Sequence, residues 1–468
     1  MQQRRTPLAK KINYQNRSWF KQYKQLSKNE EYHVLLESGR GGKYSIIGFS
    51  PFAVLKGKNY ELTITTMSDN CQEILHGDPL ENMKKWMSTY KTIQNPLYPD
   101  FQGGAIGFVS YDYARYIESL PEQSEDDLDT PDLYFMIYND VVVFDHEEEA
   151  LWVITHYQED KSAAERRLDE LEQLWTSDLD ESTYPRINHE EQSFQHVSFK
   201  EEDFHHAVEK IKDYIADGDI FQVNLSVRQS QRLNTHPLKI YEKLREINPS
   251  PYMAYVQVPE FQLISGSPEL LVKKKGAEVS TRPIAGTRSR GANEEEDLAL
   301  ANELITNEKE RAEHVMLVDL ERNDLGRVCS FGTVEVNEFM VIEKYSHVMH
   351  IVSNVRGLLS EEKDAYDLLR ATFPGGTITG APKVRTMEII EELEPVRRGV
   401  YTGSIGWFGF SGEMEMNITI RTMIAQNGIA HVQAGAGIVI DSNPKHEYKE
   451  SLKKAKALWK AKELSEAE

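Results

Sequence analysis

Hydrophobic and polar positions along the chain predict strands and tight turns through its first third. The runs Tyr32–Ser38, Gly103–Asp112 and Asp140–Asp145 are rich in β-branched and aromatic residues, and glycine and proline separate them. This composition is typical of β-strands rather than helices. We therefore expect a β-rich subdomain over residues 1–160.

A helical pattern and an acidic segment follow this part of the chain. Residues Ser162–Trp175 have the spacing of an amphipathic helix, and Thr176–His196 is polar and acidic. The acidic segment is a linker candidate, although a compact surface loop has the same composition. The predicted organisation continues as a helix and acidic linker over 161–198 and a second domain over 199–468.

One strand of the second domain has an unusual polar face. Within Ile220–Arg228, Val223 and Leu225 fall on an apolar face, whereas Gln222 and Asn224 fall on the opposite one. Amides rather than charges opposite an apolar face suggest a polar cavity. An ordinary half-exposed strand is the alternative.

Two Glu-x-x-Glu clusters lie far apart in the sequence. Glu310 and Glu313 fall within an uninterrupted helical pattern that runs from about residue 295 to residue 319. Because side chains three apart share a helix face, the two carboxylates are neighbours. A solvated charged face would give the same pattern.

The second cluster follows a helix-start signal. Asn443 can cap the helix, and Pro444 suits its first position. Glu447, Glu450 and Lys454 then form one stripe. Two paired-carboxylate helices are what a Mg²⁺ site could use, with water and substrate completing the octahedron.

Composition excludes several classes of protein. A net charge of −21 argues against a nucleic-acid binder, because phosphate backbones attract clustered Lys and Arg. No stretch approaches the roughly 20 apolar residues of a membrane span. Two cysteines, Cys71 and Cys329, give no disulfide framework and fit a cytoplasmic location. Met1–Lys11 is basic without an apolar stretch behind it, and we interpret it as a solvated arm rather than a signal peptide.

Glycine-rich segments do not match nucleotide-binding motifs. Pro374–Lys383 lacks the Lys and Ser or Thr that end a phosphate loop, and Ala434–Gly437 lacks the third glycine of a dinucleotide fingerprint. Both could still offer backbone N–H groups to a carboxylate, or be simple tight turns. Cys329 has no glycine-flanked elbow, so no glutaminase nucleophile is expected.

Several long motifs follow one another along the chain, namely Gly266–Glu269, Arg282–Thr287, Lys309–His314, Asp319–Arg327, Pro374–Lys383 and Gln433–Gly437, with Leu35–Ser38, Tyr44–Gly48 and Gly103–Gly107 in the first half. In sequence and in order they resemble the motifs of the chorismate-utilising enzymes, which include anthranilate, aminodeoxychorismate, isochorismate and salicylate synthases. The resemblance implies an α+β fold in which antiparallel β-sheets pack face to face with helices outside.

The resemblance also implies roles for the acidic residues. Mg²⁺ is expected to bind Glu313 and Glu450, with Glu310 and Glu447 as outer carboxylates acting through water. Glu269 resembles the general acid that assists departure of the C4 hydroxyl group of chorismate.

Other site residues follow from the same motifs. Groups that bind the substrate, most of them through its carboxylates, are implied at Gly286, Thr287, Tyr401, Arg421, Gly435, Gly437 and Lys454. His350 and Thr377 are expected near the ring.

The nucleophile is predicted to be ammonia. Isochorismate and salicylate synthases have a water-activating Lys where this chain has Gln222, and an amide cannot deprotonate water. Ammonia would come from a separate glutamine amidotransferase subunit in a heterodimer. Asn224 resembles the aminodeoxychorismate synthases, in which ammonia enters at C4, whereas Ala285 is the residue of anthranilate synthases. The two products therefore remain alternatives, with the first favoured.

A non-catalytic paralogue that binds an amino acid is an alternative of another class. Two segments match those that form a tryptophan pocket in related proteins, and the candidate pocket residues are Glu37, Ser38, Asn248, Pro249, Tyr252 and Met253. The full set of acid, metal and carboxylate-binding residues argues against an inactive protein.

Overall fold

The computed structural model describes residues 5–39, 42–179, 194–344 and 348–467. Its strands are β1 (Thr6–Asn13), β2 (His33–Glu37), β3 (Tyr44–Phe49), β4 (Ala53–Lys58), β5 (Glu61–Thr66), β6 (Cys71–His76), β7 (Gly104–Val109), β8 (Leu133–Tyr138), β9 (Val141–Asp145), β10 (Ala150–Tyr157), β11 (Gln195–Val197), β12 (Gln222–Arg232), β13 (Tyr252–Gln257), β14 (Gln262–Ser267), β15 (Leu270–Lys275), β16 (Glu278–Thr281), β17 (Ile284–Ser289), β18 (Glu335–Lys344), β19 (Val348–Leu358), β20 (Gly380–Ala381), β21 (Ser404–Gly409), β22 (Met414–Asn417), β23 (Thr422–Gln426) and β24 (Ile429–Ile438).

The helices are α1 (Trp19–Ser27), α2 (Pro79–Met87), α3 (Ala114–Ile117), α4 (Lys161–Thr176), α5 (Glu201–Ala216), α6 (Pro237–Ile247), α7 (Glu294–Thr306), α8 (Glu308–Gly326), α9 (Ala365–Thr372), α10 (Lys383–Leu393), α11 (Pro444–Lys454) and α12 (Lys456–Glu466). Single 3₁₀ turns occur at Ser88–Tyr90, Tyr111–Tyr113 and Gly376–Ile378. Among the described helices, none is both long and apolar enough to cross a membrane.

The described strands form two antiparallel sheets. One follows the order β1-β10-β9-β3-β2-β13-β14-β23-β24-β12-β11, with β20 beside β12. The other follows β17-β19-β16-β15-β22-β21-β7-β8-β4-β5-β6, with β18 beside β19. Each sheet joins strands from both halves of the sequence, as β2 pairs with β13 and β7 with β21. The predicted boundaries at 160 and 198 stay a prediction, and residues 180–193 of the acidic segment lie outside the described residues.

A hydrophobic core lies between the sheets. Val34 and Ile46 of the first sheet share this core with Ile106 and Phe108 of the second. On the outer faces, α1, α4, α6 and α12 cover the first sheet, and α2, α8 and α9 cover the second. Each sheet can therefore bury apolar side chains on both faces. The strand pattern alone did not distinguish this arrangement from a sheet with one face exposed to solvent. The predicted α+β fold with helices outside is confirmed.

Two local predictions were wrong. The N-terminal arm is not simply solvated, because Thr6–Asn13 pairs with β10 and its Lys10 bonds Asp169 of α4 at 2.8 Å. The predicted uninterrupted helix is two helices. Asn307 ends α7, and its side chain caps α8 by accepting a hydrogen bond from the Glu310 amide at 3.0 Å.

Candidate active site

The amide face of β12 lies against the glycines of β24. Asn224 is opposite Gly437 in the antiparallel register. A Cβ atom at Gly437 would lie 2.5 Å from Nε2 of Gln222, and one at Gly435 would lie 2.4 Å from Oδ1 of Asn224. The glycines therefore leave the space that the two amides occupy. The two amides thus lie together on one face of β12, and a polar cavity in front of them stays a prediction.

The first pair of carboxylates approaches the same amides. Burial raises the pKa of Glu313, and the neighbouring Glu310 raises it further, whereas a hydrogen bond from Gln222 lowers it. Glu310 also forms an ion pair with Arg288, at 3.1 Å between Oε1 and Nη1. Glu313 is thus the carboxylate of this pair that touches the β12 amide.

The second pair lies on α11. Burial raises the pKa of Glu447, with Glu450 acting in the same direction. Lys454 donates to the Gly435 carbonyl oxygen at 3.0 Å and pairs with Glu450 at 3.0 Å. The positive charge of Lys454 lowers the pKa of both Glu313 and Glu447. The two clusters therefore face a common space, as their helical spacing alone could not establish.

The donor set fits a hard divalent cation. No group of three or more His, Cys, Asp or Glu side chains forms a closed metal cage in the described parts of the chain. Mg²⁺ does not require one, because it commonly takes one or two carboxylates and completes its shell with water and substrate. Glu313 and Glu447 are each partly buried beside a second carboxylate, and a divalent cation would neutralise that repulsion.

Glu269 is a buried carboxyl group between β14 and β15. It is 6% exposed, and burial raises its pKa from 4.5 to about 7, although the Thr377 hydroxyl and Arg421 act in the opposite direction. Among the described residues, Oε1 of Glu269, Oγ1 of Thr377 and Oδ1 of Asn224 are buried without a hydrogen-bond partner of normal geometry. Because buried polar atoms are rarely unpaired, these three atoms mark a place for a polar ligand.

His350 is held by the β17–β19 pair. Its Nδ1 lies 3.0 Å from the Gly286 carbonyl oxygen and 3.1 Å from Oγ1 of Thr287. Burial lowers the pKa of His350, and the charge of Arg421 acts in the same direction, whereas the hydrogen bond with the Gly286 carbonyl oxygen raises it. A Cβ atom at Gly286, where φ is +62°, would lie 2.9 Å from Oε2 of Glu310. This strand thus joins the histidine to the carboxylate clusters.

Cationic and phenolic groups complete the site. The positive charge of Arg421 lowers the pKa of both Glu269 and His350, so the arginine lies near them. The Arg421 carbonyl oxygen accepts a hydrogen bond from the Gly266 N–H at 3.0 Å. Tyr401 is buried, with its ring centroid 5.5 Å from Cζ of Arg398. The structure brings the predicted catalytic, substrate and metal residues into one region, while their individual roles stay predictions.

A cavity of about 920 Å³ contains part of the candidate amino-acid pocket. Its lining includes Glu37, Ser38, Tyr252 and Met253 but neither Asn248 nor Pro249. The Glu37 carboxylate is already bound by the protein, since it accepts two bonds of 2.6 Å from Arg245 and one of 2.9 Å from Tyr241. Glu37 therefore holds the wall of the cavity together, and binding of an amino acid there stays a prediction.

Sequence reasoning gave no role to Glu321, a buried residue near the acid. Burial raises its pKa to about 8, with Asp324 acting in the same direction. Lys383 pairs with Asp324 at 2.5 Å, and Glu269 also raises the pKa of Glu321. The sequence signal that could have indicated its burial is helical spacing in α8. Positions 321 and 324 fall on the same face of the helix as the buried positions 314, 317 and 318.

Comparisons with known proteins identify the family of the chain. The family described as chorismate binding enzyme matches residues 31–460. The chain belongs to this family of chorismate-binding enzymes, and the resemblance seen in the motifs is confirmed.

Individual relatives show which members of the family the chain is similar to. The chain is 60% identical to aminodeoxychorismate synthase component 1 of Bacillus subtilis over 100% of this chain and 99% of that protein. It is 45% identical to anthranilate synthase component 1 of Thermus thermophilus over 95% of each. Among solved structures, anthranilate synthase component I of Streptococcus pneumoniae superposes with a TM-score of 0.79 at 38% identity, covering 89% of this chain and 92% of that one. The menaquinone-specific isochorismate synthase of Escherichia coli shares the fold, with a TM-score of 0.74 at 15% identity over 98% and 94% of the two chains.

Proposed function

We propose that this chain is the synthase component of an aminodeoxychorismate synthase. Ammonia adds to C4 of chorismate, and the C4 hydroxyl group leaves as water, which gives 4-amino-4-deoxychorismate. The observation that carries the chemistry is the buried Glu269 carboxyl group, whose pKa is raised to about 7 and which has the Thr377 hydroxyl beside it. The choice of product is supported by the full-length identity of 60% to the Bacillus subtilis protein, against 45% to an anthranilate synthase component.

Glu269 supplies the proton for the leaving group. Hydroxide is a poor leaving group, so the C–O bond breaks more readily when the oxygen is protonated as it departs. A carboxyl group with a pKa of about 7 still carries its proton in a large fraction of molecules at neutral pH. An exposed carboxyl group would have lost it.

Charges in the site hold the substrate carboxylates despite the net charge of −21. Arg421 and Lys454 are the cations beside Glu269 and Gly435 respectively, and the N–H groups near Gly435–Gly437 add further donors. Glu313 and Glu450 would bind Mg²⁺ directly, with Glu310 and Glu447 outside them. When bound, the ion would neutralise the ring carboxylate of chorismate.

Gln222 favours ammonia over water as the nucleophile. Its amide contacts Glu313 and touches the Gly437 backbone, so it lies in the reacting region. The amide cannot remove a proton from water, whereas ammonia attacks without a base.

A glutamine amidotransferase subunit is the proposed source of ammonia. The names of the relatives, component 1, imply a second component in those enzymes. A cytoplasmic location is also proposed, in keeping with two unpaired cysteines, Cys71 and Cys329.

Anthranilate synthase is the second candidate, favoured by Ala285. This alanine is buried in β17 at a register shift before Thr287, and an alanine cannot form a covalent adduct with substrate. The same site with ammonia at C2 would release pyruvate and form anthranilate.

Product identity tests both candidates. Purified protein is incubated with chorismate, ammonium and Mg²⁺, with and without an aminodeoxychorismate lyase, and a Glu313→Gln variant serves as the inactive control. We expect chorismate to be consumed and 4-aminobenzoate to form only when the lyase is present. Fluorescent anthranilate with pyruvate in the absence of lyase would overturn the proposal, and no turnover under any condition would favour a non-catalytic protein.

A further inference from the structure

Arg398 is a buried arginine between α10 and β21, outside the residues to which the proposed reaction assigns roles. Its side chain is 1% exposed. A guanidinium group has five N–H donors, and five hydrogen bonds from Arg398 are found here. Two go to the Glu394 carboxylate, from Nε at 3.0 Å and from Nη2 at 2.7 Å. The other three go to three different segments of the chain.

Two of these segments carry predicted catalytic residues. Nη2 of Arg398 donates to the Asn224 carbonyl oxygen at 2.7 Å, which fixes the backbone of β12 where its amide enters the site. Nη1 donates to the Ile378 carbonyl oxygen at 2.9 Å, one residue after Thr377. The backbone N–H of Asn224 donates to the Thr379 carbonyl oxygen at 2.8 Å, so the two segments are also joined directly.

The third segment carries Tyr401. Nη1 of Arg398 lies 3.3 Å from Oγ1 of Thr402, and the Arg398 Cζ lies 5.5 Å from the Tyr401 ring centroid. The same Cζ lies 4.9 Å from the centroid of Tyr111. The guanidinium group therefore has two aromatic rings close to it in addition to its hydrogen bonds.

Glu394 extends the network to the strand pair of the site. Its Oε1 accepts bonds of 2.8 Å from both the amide and the hydroxyl of Ser226 on β12. Gln433 of β24 donates to the same hydroxyl at 2.9 Å. The carboxylate thus fixes β12 two residues after Asn224, and Ser226 connects it with β24.

We propose that Glu394 and Arg398 are a positioning pair that sets the relative placement of Asn224, Thr377 and Tyr401. Neither is called catalytic, because each acts through the segments it holds. The proposal rests on the proposed function for the roles of those three residues. Lysine at 398 would keep the positive charge but has three donors and no planar fork, so it cannot hold all the acceptors in their present geometry. A displacement of about 1 Å in a site can lower a rate by roughly 10²-fold.

The test compares Arg398→Lys with Arg115→Lys. Arg115 is a matched control, because it also pairs with a buried glutamate of the same region, Glu391 of α10, at 2.5 Å. Its other hydrogen bond goes to the Pro121 carbonyl oxygen, and its Nε pairs with Asp112 at 3.4 Å; neither partner is one of the predicted site residues. For both variants, thermal stability, kcat and KM for chorismate are measured with ammonium and Mg²⁺, at a temperature well below either unfolding transition.

We expect kcat of Arg398→Lys to fall by roughly 10- to 100-fold. We expect KM of Arg398→Lys to change much less. We expect kcat of Arg115→Lys to stay within a small factor of the wild-type value, even if its melting temperature falls as much as that of Arg398→Lys. Equal effects of the two substitutions on kcat would overturn the proposal, as would an unchanged kcat for Arg398→Lys. If Arg398→Lys does not fold, Glu394→Gln, which keeps the shape of the side chain, is judged by the same comparison. Since the assay follows chorismate consumption, it tests the pair whichever carbon is aminated, and inactive wild-type protein would instead refute the proposed function.

Discussion

Replacing Glu269 by glutamine should stabilise the protein at alkaline pH and remove its activity. Burial raises the pKa of this carboxyl group from 4.5 to about 7. At 1.36 kcal/mol per pKa unit, the folded state favours the protonated form by about 3 kcal/mol relative to the unfolded chain. Glutamine has almost the same shape as a protonated glutamate and never ionises, so the variant avoids this cost of ionisation.

The sign of the pH dependence follows from proton binding. Between pH 4.5 and 7 the folded protein keeps the Glu269 proton that the unfolded chain releases, so the free energy of unfolding decreases as pH rises. Above pH 7 both states are ionised, and the loss of about 3 kcal/mol is complete. The stability advantage of Glu269→Gln over wild type should therefore be small at pH 5, grow through pH 7 and be constant by pH 8.5.

Two measurements check this reasoning. Melting temperatures of wild type, Glu269→Gln and the exposed control Glu31→Gln are compared from pH 5 to 8.5. Turnover of chorismate is followed with the free ammonia concentration held constant, and loss of a general acid should lower kcat by about 10²- to 10⁴-fold. In the wild type, kcat/KM should fall as pH rises through about 7. A stability difference that is the same at pH 5 and 8.5, or an active Glu269→Gln, would refute the assignment.

The remaining predictions concern the metal and the glycine strand. Glu313→Gln should lower turnover by about 10²-fold or more without unfolding the protein, because the cation stabilises charge in the transition state. For the same reason EDTA should stop turnover by the wild type. A chorismate consumption assay measures both effects, and circular dichroism spectra show whether the variant is folded. Gly437→Ala should leave the melting temperature nearly unchanged yet lower kcat, since its Cβ would displace the Gln222 amide from 2.5 Å away. Gly326→Ala, where a Cβ meets nothing within 4 Å, is its control; equal kcat values for the two variants would contradict this interpretation.

Periodicity and capping signals in the sequence predict the local placement of several candidate site residues. Helical spacing placed Glu447 and Glu450 on one face, and the Asn443 cap is present, with its side chain accepting from the His446 amide at 3.1 Å. Strand alternation placed the Gln222 amide on the polar face of β12. These features depend on residues close in sequence, where backbone geometry alone fixes which side chains are neighbours.

Features that depend on burial were not predictable in the same way. Glu394 and Arg398 are four residues apart, a spacing usual for an exposed ion pair, yet their side chains are 3% and 1% exposed. The pattern cannot show that their partners come from β12 and from the turn after α9. Similarly, Asn307 interrupts a continuous helical pattern because its side chain caps α8, a competition that helical periodicity does not register.

In the proposed reaction, the choice between water and ammonia depends on Gln222, a residue that is neutral and does not itself react. Gln222 lies against Gly437 and bonds Glu313, so a nucleophile entering there meets an amide beside the predicted metal carboxylates. A lysine at this position would place an ammonium group against Glu313, where it could neutralise the carboxylate or act as a base. The amide does neither, which leaves Glu313 available to a divalent cation. We therefore expect the amide at position 222 to restrict the chemistry to a nucleophile that needs no activation.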